Sequence, residues 1–242
     1  MNAHTDNALL GGRVILRQPA QGYRVAIDPV LLAAAVRAEE GQSVLDAGCG
    51  SGAAMFCLGA RVPGVALTGL ELQPALAACA RAGVQLNKCA RARIIEGNLA
   101  APPGEFTAAF DIVMTNPPYG ADGTPPPDAS LATAHMESSL DLTEWLRACL
   151  ACLKLKGRLV LIHRADRLSE ILSALRPACG DIRIFPIHPK ANEPASRVIV
   201  DAGKGRRTPD TLLPGFVLHE SDGRFSPAAD AVLRAGAALP RC

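Results

Sequence analysis

The chain predicts an α/β protein built on a mixed, mainly parallel sheet with helices on both faces. Three observations carry this. From residue 43 onward, short β-rich runs alternate with helical stretches, the pattern of parallel strands joined by crossover helices. The run AFDIVMTN (109–116) is apolar at successive positions, as a central strand covered on both faces must be. The last two β-rich runs, DIRIFPIHP (181–189) and ASRVIVDA (195–202), are separated by five residues, too few for a parallel crossover, so this pair must be antiparallel.

The elements follow in order. SVLDAG (43–48) reads as the first strand, and a helix from about Ala53 stops at Pro63 and Gly64. VALTGLE (65–71) is the second strand, and Pro74 stands in the first turn of the next helix, where a missing N–H leaves no bond unmade. RARIIEG (91–97) is the third strand. Pro102, Pro103 and Gly104 then mark a loop before the fourth, and GADGTPPPDASLATAH (120–135) is longer than an ordinary connection. In DLTEWLRACLACL the residues Leu142, Trp145, Leu146, Cys149, Leu150 and Leu153 recur at spacings of three and four, the buried stripe of an amphipathic helix. GRLVLIH (157–163) is the fifth strand, followed by a helix around 166–176. Residues 1–42 form a prelude to a main domain of 43–242.

Composition bounds the function. With 242 residues, 49% hydrophobic and 20% charged, the chain is neither disordered, collagenous nor coiled coil. No apolar run approaches the ~20 residues of a membrane-spanning helix, and MNAHTDNALLGGRVILR lacks the basic and apolar regions of a secretory signal. A cytoplasmic location is expected. The eight cysteines read as reduced thiols, and Cys149 and Cys152 fall on or beside the buried helical stripe with no second pair at metal-ligand spacing. No metal is expected. The net charge of +2 conceals a division, with −4 over residues 1–153, +7 over 154–207 and −1 over 208–242. The basic block, ending in Lys204, Arg206 and Arg207, either collects on one face to attract phosphates or is a solvated surface.

Asp46-Ala47-Gly48-Cys49-Gly50-Ser51-Gly52 joins the first strand to its helix, and its glycines let a ligand come closer than a Cβ would allow. Asp46 puts a carboxylate where a diphosphate would be repelled, so a ligand with an ammonium or sulfonium group suits the loop better. Glu71 ends the second strand, where it can accept from both ribose hydroxyls, and Asn98 follows the third, where an amide can donate and accept on an adenine edge. DAGCGSG, Glu71 and Asn98 resemble the motifs of the class I S-adenosylmethionine-dependent methyltransferases. The resemblance implies a Rossmann-like, seven-stranded sheet with an antiparallel last strand and S-adenosyl-L-methionine as cofactor. It implies cofactor contacts from Asp46, Ala47, Gly48, Cys49, Gly50, Glu71, Leu72, Asn98, Leu99 and Asn116.

Asn116-Pro117-Pro118-Tyr119 ends the fourth strand. Two prolines make a rigid turn, but they also leave carbonyls without neighbouring N–H groups, Asn116 adds an acceptor, and Tyr119 offers an aromatic face. That set suits a planar amine, a poor nucleophile because its lone pair is delocalised. With one N–H held by the Asn116 oxygen and the other by the Pro117 carbonyl, the nitrogen can pyramidalise toward an electrophilic methyl. Placement and electrostatics then carry the rate without a general base, while Tyr119 stacks on the target. NPPY resembles the motif of amino-methyltransferases acting on adenine, guanine or protein glutamine, and implies catalytic roles for Asn116, Pro117 and Tyr119.

The prelude GGRVILRQPAQGYRVAIDPVLLAAA, with AHMES (134–138), Trp145, HRADRLSEIL (163–172) and HPKANEPASRVIVDAGKG (188–205), resembles the bacterial tRNA(Val) adenine-N6-methyltransferase family. It implies an RNA acceptor, a prelude over the cofactor, and phosphate contacts from Arg197 and Lys204 alongside Tyr119. Asp28 before Pro29 is an expected helix N-cap or a cofactor contact, and His135 and Glu137 are read as cap or surface residues rather than acid and base. Two other acceptors, protein glutamine N5 and rRNA guanine N2, stay open, as does a non-catalytic cofactor-binding factor for RNA assembly.

Overall fold

The computed structural model describes residues 4–21, 24–118 and 140–240, so Tyr119, His135, Glu137 and the long 120–135 stretch lie outside the described residues. The chain opens with an antiparallel hairpin, β1 (His4–Leu9) and β2 (Val14–Pro19), then helix α1 (Asp28–Ala35). Strand β3 (Ser43–Ala47) leads into α2 (Ala53–Arg61), β4 (Ala66–Glu71) into α3 (Pro74–Leu86), and β5 (Ala92–Glu96) and β6 (Phe110–Thr115) follow. Helix α4 (Leu142–Cys152) runs directly into β7 (Leu153–Arg164), which starts four residues earlier than the sequence run indicated. After α5 (Leu168–Leu175) come β8 (Cys179–Lys190), β9 (Arg197–Lys204), the short β10 (Thr211–Leu212) and β11 (Phe216–His219), and α6 (Pro227–Ala235).

Among the described residues the main sheet has nine strands, in the order β10-β8-β9-β7-β6-β3-β4-β5 with β11 also on β8. Strands β3 to β7 pair in parallel, whereas β9 is antiparallel to both β7 and β8. The seven expected strands are therefore present with the reversed one inserted next to last, and β10 and β11 extend the edge beyond β8. Chain order turns at β3 and β6, and the crevice outside the carboxyl ends of such a switch point is where open α/β sheets bind ligands.

Alternation along the central strands feeds two cores. Ile112 and Met114 face a layer that holds Leu31, Leu32, Phe56, Leu58 and Ala80, whereas Val113, with Leu159 and Leu161, faces Trp145, Leu146, Cys149 and Ile171. Cys149 and Cys152 are buried in this second core as free thiols, the packing role their spacing indicates. The prelude is built into the first core through Leu10, Val14 and Leu16. Arg13 bolts it down, donating to the Ala235 carbonyl at 2.8 Å and the Ala60 carbonyl at 2.6 Å.

Helix starts follow local chemistry. Pro74 occupies the first turn of α3, and Asp141 and Glu144 close a capping box on α4, which orients the helix that carries Trp145. Asp28 departs from its expected role. It is the first residue of α1 rather than its cap, and its carboxylate accepts from Arg197 Nε at 3.0 Å.

Candidate active site

The register aligns three strand ends. Ala47 pairs with Leu70 on one side and Thr115 on the other, so Gly48, Glu71 and Asn116 stand abreast on adjacent strands, about 4.8 Å apart per strand. The glycine loop is tied to this edge by the Gly48 and Cys49 N–H groups, which donate to the Leu70 carbonyl at 2.9 and 3.0 Å. Gly50 N–H donates to Glu71 Oε2 at 2.8 Å, and Gln73 N–H to Oε1 at 2.8 Å. Each carboxylate oxygen keeps a further lone pair, the capacity two ribose hydroxyls require. Burial raises the Glu71 pKa, and the N–H bonds of Gln73, Gly50 and Leu72 oppose the rise.

Asp46 is buried at the foot of the loop, and its Oδ2 has no hydrogen-bond partner. Burial pushes its pKa up to about 7, opposed by the Met55 N–H and assisted by the Glu71 charge. A buried carboxyl with an unmet acceptor calls for a donor or cation from outside the chain. Gly50, with φ +56°, has nothing within 4 Å of where a Cβ would sit, so the loop turns its bare backbone toward open space. Ala47, Cys49 and Leu99 are buried and Leu72 half-buried around this edge. These features fit S-adenosylmethionine: acceptors for an ammonium and a ribose, and a close-approach loop.

Asn98 lies just past the end of β5. Its Oδ1 accepts from Ala100 N–H at 2.8 Å, making an Asx turn, and keeps a second lone pair, while the amide nitrogen remains to donate to an adenine edge. Asn116 is the second residue with an orphaned oxygen: its Oδ1 is buried and has no partner, beside the buried ring of Pro117. Asp46 and Asn116 thus place two buried, unmet oxygens at the ends of neighbouring strands.

The basic block divides between the two ends of the sheet. Arg197 begins β9 opposite Arg164, the last residue of β7, at the site's own edge. A cavity of about 280 Å³ there is lined by Arg164, Asp166, Ala195, Ser196 and Arg197. Lys204 ends the antiparallel β9 and so lies at the opposite edge, roughly 20 Å away along the strand, where its ammonium donates to the Leu150 and Leu153 carbonyls at 2.6 and 2.8 Å. The two residues read as candidate phosphate contacts thus lie at opposite edges of the sheet. The antiparallel direction of β9 separates them.

Two neighbours of the site escaped the sequence reading. Thr115 is fully buried just before Asn116; its hydroxyl donates to the Ala47 carbonyl at 2.8 Å and accepts from Trp145 Nε1 at 2.9 Å. Its signal was a lone hydroxyl ending an apolar strand. His163 is buried near the carboxyl end of β7, one strand over from the tetrapeptide, and looked like the tail of an apolar run.

A doubly wound sheet with a reversed penultimate strand and a glycine loop facing an acidic strand end defines an S-adenosylmethionine-dependent methyltransferase. The model of the methyltransferase small domain matches residues 24–174, and the chain belongs to that family. Two relatives from Porphyromonas gingivalis are 27% identical over 232 residues, covering 89% of each chain, and 30% identical over 227 residues, covering 87% of each. One from Yersinia pestis is 27% identical, covering 84% of this chain and 83% of the relative. All three are called tRNA1(Val) (adenine(37)-N6)-methyltransferase. Among solved structures, a predicted O-methyltransferase from Agrobacterium tumefaciens superposes with a TM-score of 0.74 at 28% identity, covering 88% of this chain and 99% of that one. A putative class I S-adenosylmethionine-dependent methyltransferase from Listeria monocytogenes, at 15% identity, TM-score 0.53 and coverage of 78% and 61%, shares the fold. S-adenosylmethionine is thus the cofactor of this enzyme.

Proposed function

We propose that this enzyme methylates the N6 amino group of an adenine in tRNA, presented unstacked at the carboxyl edge of β6. The observation that carries the reading is the buried, unmet oxygen of Asn116 directly before two prolines and abreast of the glycine loop. When bound, S-adenosylmethionine supplies a methyl group activated by a sulfonium. Asp46, Glu71 and the loop 47–50 hold it, with Leu72, Asn98 and Leu99 along its length. The Asn116 oxygen and the Pro117 carbonyl each take one N–H of the incoming amine, which withdraws its lone pair from the ring. No base is needed beforehand, because the nitrogen's proton becomes acidic only once the nitrogen is alkylated. An oxygen acceptor brings at most one hydrogen and would leave one of these two acceptors idle, which favours nitrogen over oxygen.

The names of the relatives support tRNA as acceptor, and a tRNA acceptor places the enzyme in the cytoplasm. Arg197, at the rim of the cavity beside β7, is the side chain proposed to meet backbone phosphate. Tyr119 is proposed to stack on the target base, an interaction worth ~1–3 kcal/mol per base in single-strand recognition. The test is incubation with methyl-labelled cofactor and either total tRNA or release factor, followed by nucleoside analysis. Label is expected in N6-methyladenosine. Label confined to protein, or recovered as N2-methylguanosine, would overturn the adenine reading. Asn116→Ala should abolish transfer while retaining S-adenosylhomocysteine binding by calorimetry; an active Asn116→Ala enzyme would remove the role assigned to that oxygen.

A further inference from the structure

We propose that Trp145 and Thr115 are positioning residues that fix the separation between the cofactor loop and the amine-binding tetrapeptide. The proposal rests on the amine-transfer reading above. Strands β3 and β6 bear the two halves of the site, and their last paired residues are Ala47 and Thr115. Beyond that pair no ladder joins the two strands among the described residues. At this point a side-chain rung takes over: Trp145 Nε1 donates to Thr115 Oγ1 at 2.9 Å, and that hydroxyl donates to the Ala47 carbonyl at 2.8 Å. Both bonds are buried, and the hydroxyl uses its single hydrogen toward one strand while accepting from the helix.

The same indole supports the loop at its far edge. A Cβ on Gly48 would lie 2.8 Å from Trp145 Cζ2 and 2.9 Å from Cη2, so the six-membered ring is packed against the loop's first glycine. One rigid side chain therefore touches the residue before Asn116 with its nitrogen and the residue after Ala47 with its carbon edge. Its own place is fixed by α4, whose start is held by the Asp141–Glu144 capping box and by Trp145 N–H donating to the Asp141 carbonyl at 2.9 Å. Transfer between two bound groups depends steeply on their spacing, with a misplacement of about 1 Å able to cost about 100-fold in rate. A device that sets loop against tetrapeptide acts on the rate of transfer more than on either affinity.

The experiment compares Thr115→Val, Thr115→Ser, Trp145→Phe and the Thr115→Val/Trp145→Phe double variant of the whole chain. Single-turnover transfer to tRNA, S-adenosylhomocysteine affinity by calorimetry and thermal unfolding are measured on each. The expected result is a loss of about 10- to 100-fold in single-turnover rate for Thr115→Val and for Trp145→Phe, with cofactor affinity within about threefold of wild type. Thr115→Ser should recover the rate to within about threefold, and the double variant should be no slower than the slower single, because both cut one chain of bonds. A wild-type rate in Thr115→Val, multiplicative losses in the double variant, or rate losses matched by loss of cofactor binding would overturn the proposal. Should Trp145→Phe fail to fold, the Val and Ser replacements at Thr115 decide it by themselves. A wild-type protein that labels no tRNA removes the underlying reading, an outcome distinct from an active Thr115→Val variant.

Discussion

At the scale of single residues, the site is defined by atoms whose bonding is incomplete. Asp46 and Asn116 each bury an oxygen with no partner, a costly arrangement in a protein that bound nothing at that edge. Asp46→Asn keeps the shape and removes the charge. It should weaken S-adenosylhomocysteine binding about 10- to 100-fold, on the order of 1.4–2.8 kcal/mol, while leaving the fold intact by circular dichroism. Gly48 shows the reverse constraint, since its φ of +72° and the indole 2.8 Å from any Cβ leave no room for a side chain. Gly48→Ala should cost about 1–3 kcal/mol of stability, as overpacking does, read from denaturant unfolding. Gly50→Ala meets open space but must hold a φ of +56°, so it should cost stability through backbone strain alone and also disturb cofactor binding. The sequence pointed to all of these positions because glycine, acid and Asn-Pro-Pro are rare in strand ends unless backbone approach or an acceptor is needed. It did not show that the Asn98 oxygen would also close an Asx turn, because that bond depends on the loop that follows.

At the scale of elements, direction decides which charges matter. β9 runs against its neighbours, so its first residue, Arg197, lies at the catalytic edge and its last, Lys204, at the other. Arg197→Gln should weaken tRNA binding and lower the slope of log affinity against log salt by about 1, the signature of one lost phosphate contact. Lys204→Gln should leave that slope unchanged and lower stability, because its ammonium serves the carbonyls of Leu150 and Leu153 where α4 passes into β7. Filter binding across a salt series distinguishes the two. The long strands were legible because β-branched and apolar runs between Gly and Pro signals leave little choice. The hairpin β1–β2 was not, because His4–Leu9 is mostly polar and exposed, and its partner's alternation is only six residues long. β10 and β11, of two and four residues, are too short to show a period at all.

At the scale of the whole molecule, two buried titrating groups oppose each other. Burial holds Asp46 up at about 7, so the fold favours its protonated form and its contribution to stability falls as pH rises from about 4 to 7. His163 is pushed down to about 4, chiefly by burial and then by Arg167, so the fold favours its neutral form. Its contribution falls in the other direction, as pH drops from about 6.5 to 4, by on the order of 3 kcal/mol. The cofactor-free protein should therefore show a shallow stability profile between pH 4 and 7. Asp46→Asn should uncover an acid loss, and His163→Gln a gain on acidification, both read from urea midpoints across that range; parallel profiles in all three proteins would contradict this. No helix among the described residues is long and apolar enough to cross a membrane, and the composition had already said so. Sequence by itself determined the α/β class, the reversed strand, the glycine loop, its acidic partner and the Asn-Pro-Pro strand end, since each is written in local residue types and short spacings. Tertiary structure alone decided that Lys204 and Arg197 lie at opposite edges of the sheet, that Asp28 pairs with Arg197, and that Trp145 joins Thr115 to Ala47. Those outcomes depend on which strand lies beside which and in which direction, and residues 30 to 169 positions apart meet only when the sheet's order is set.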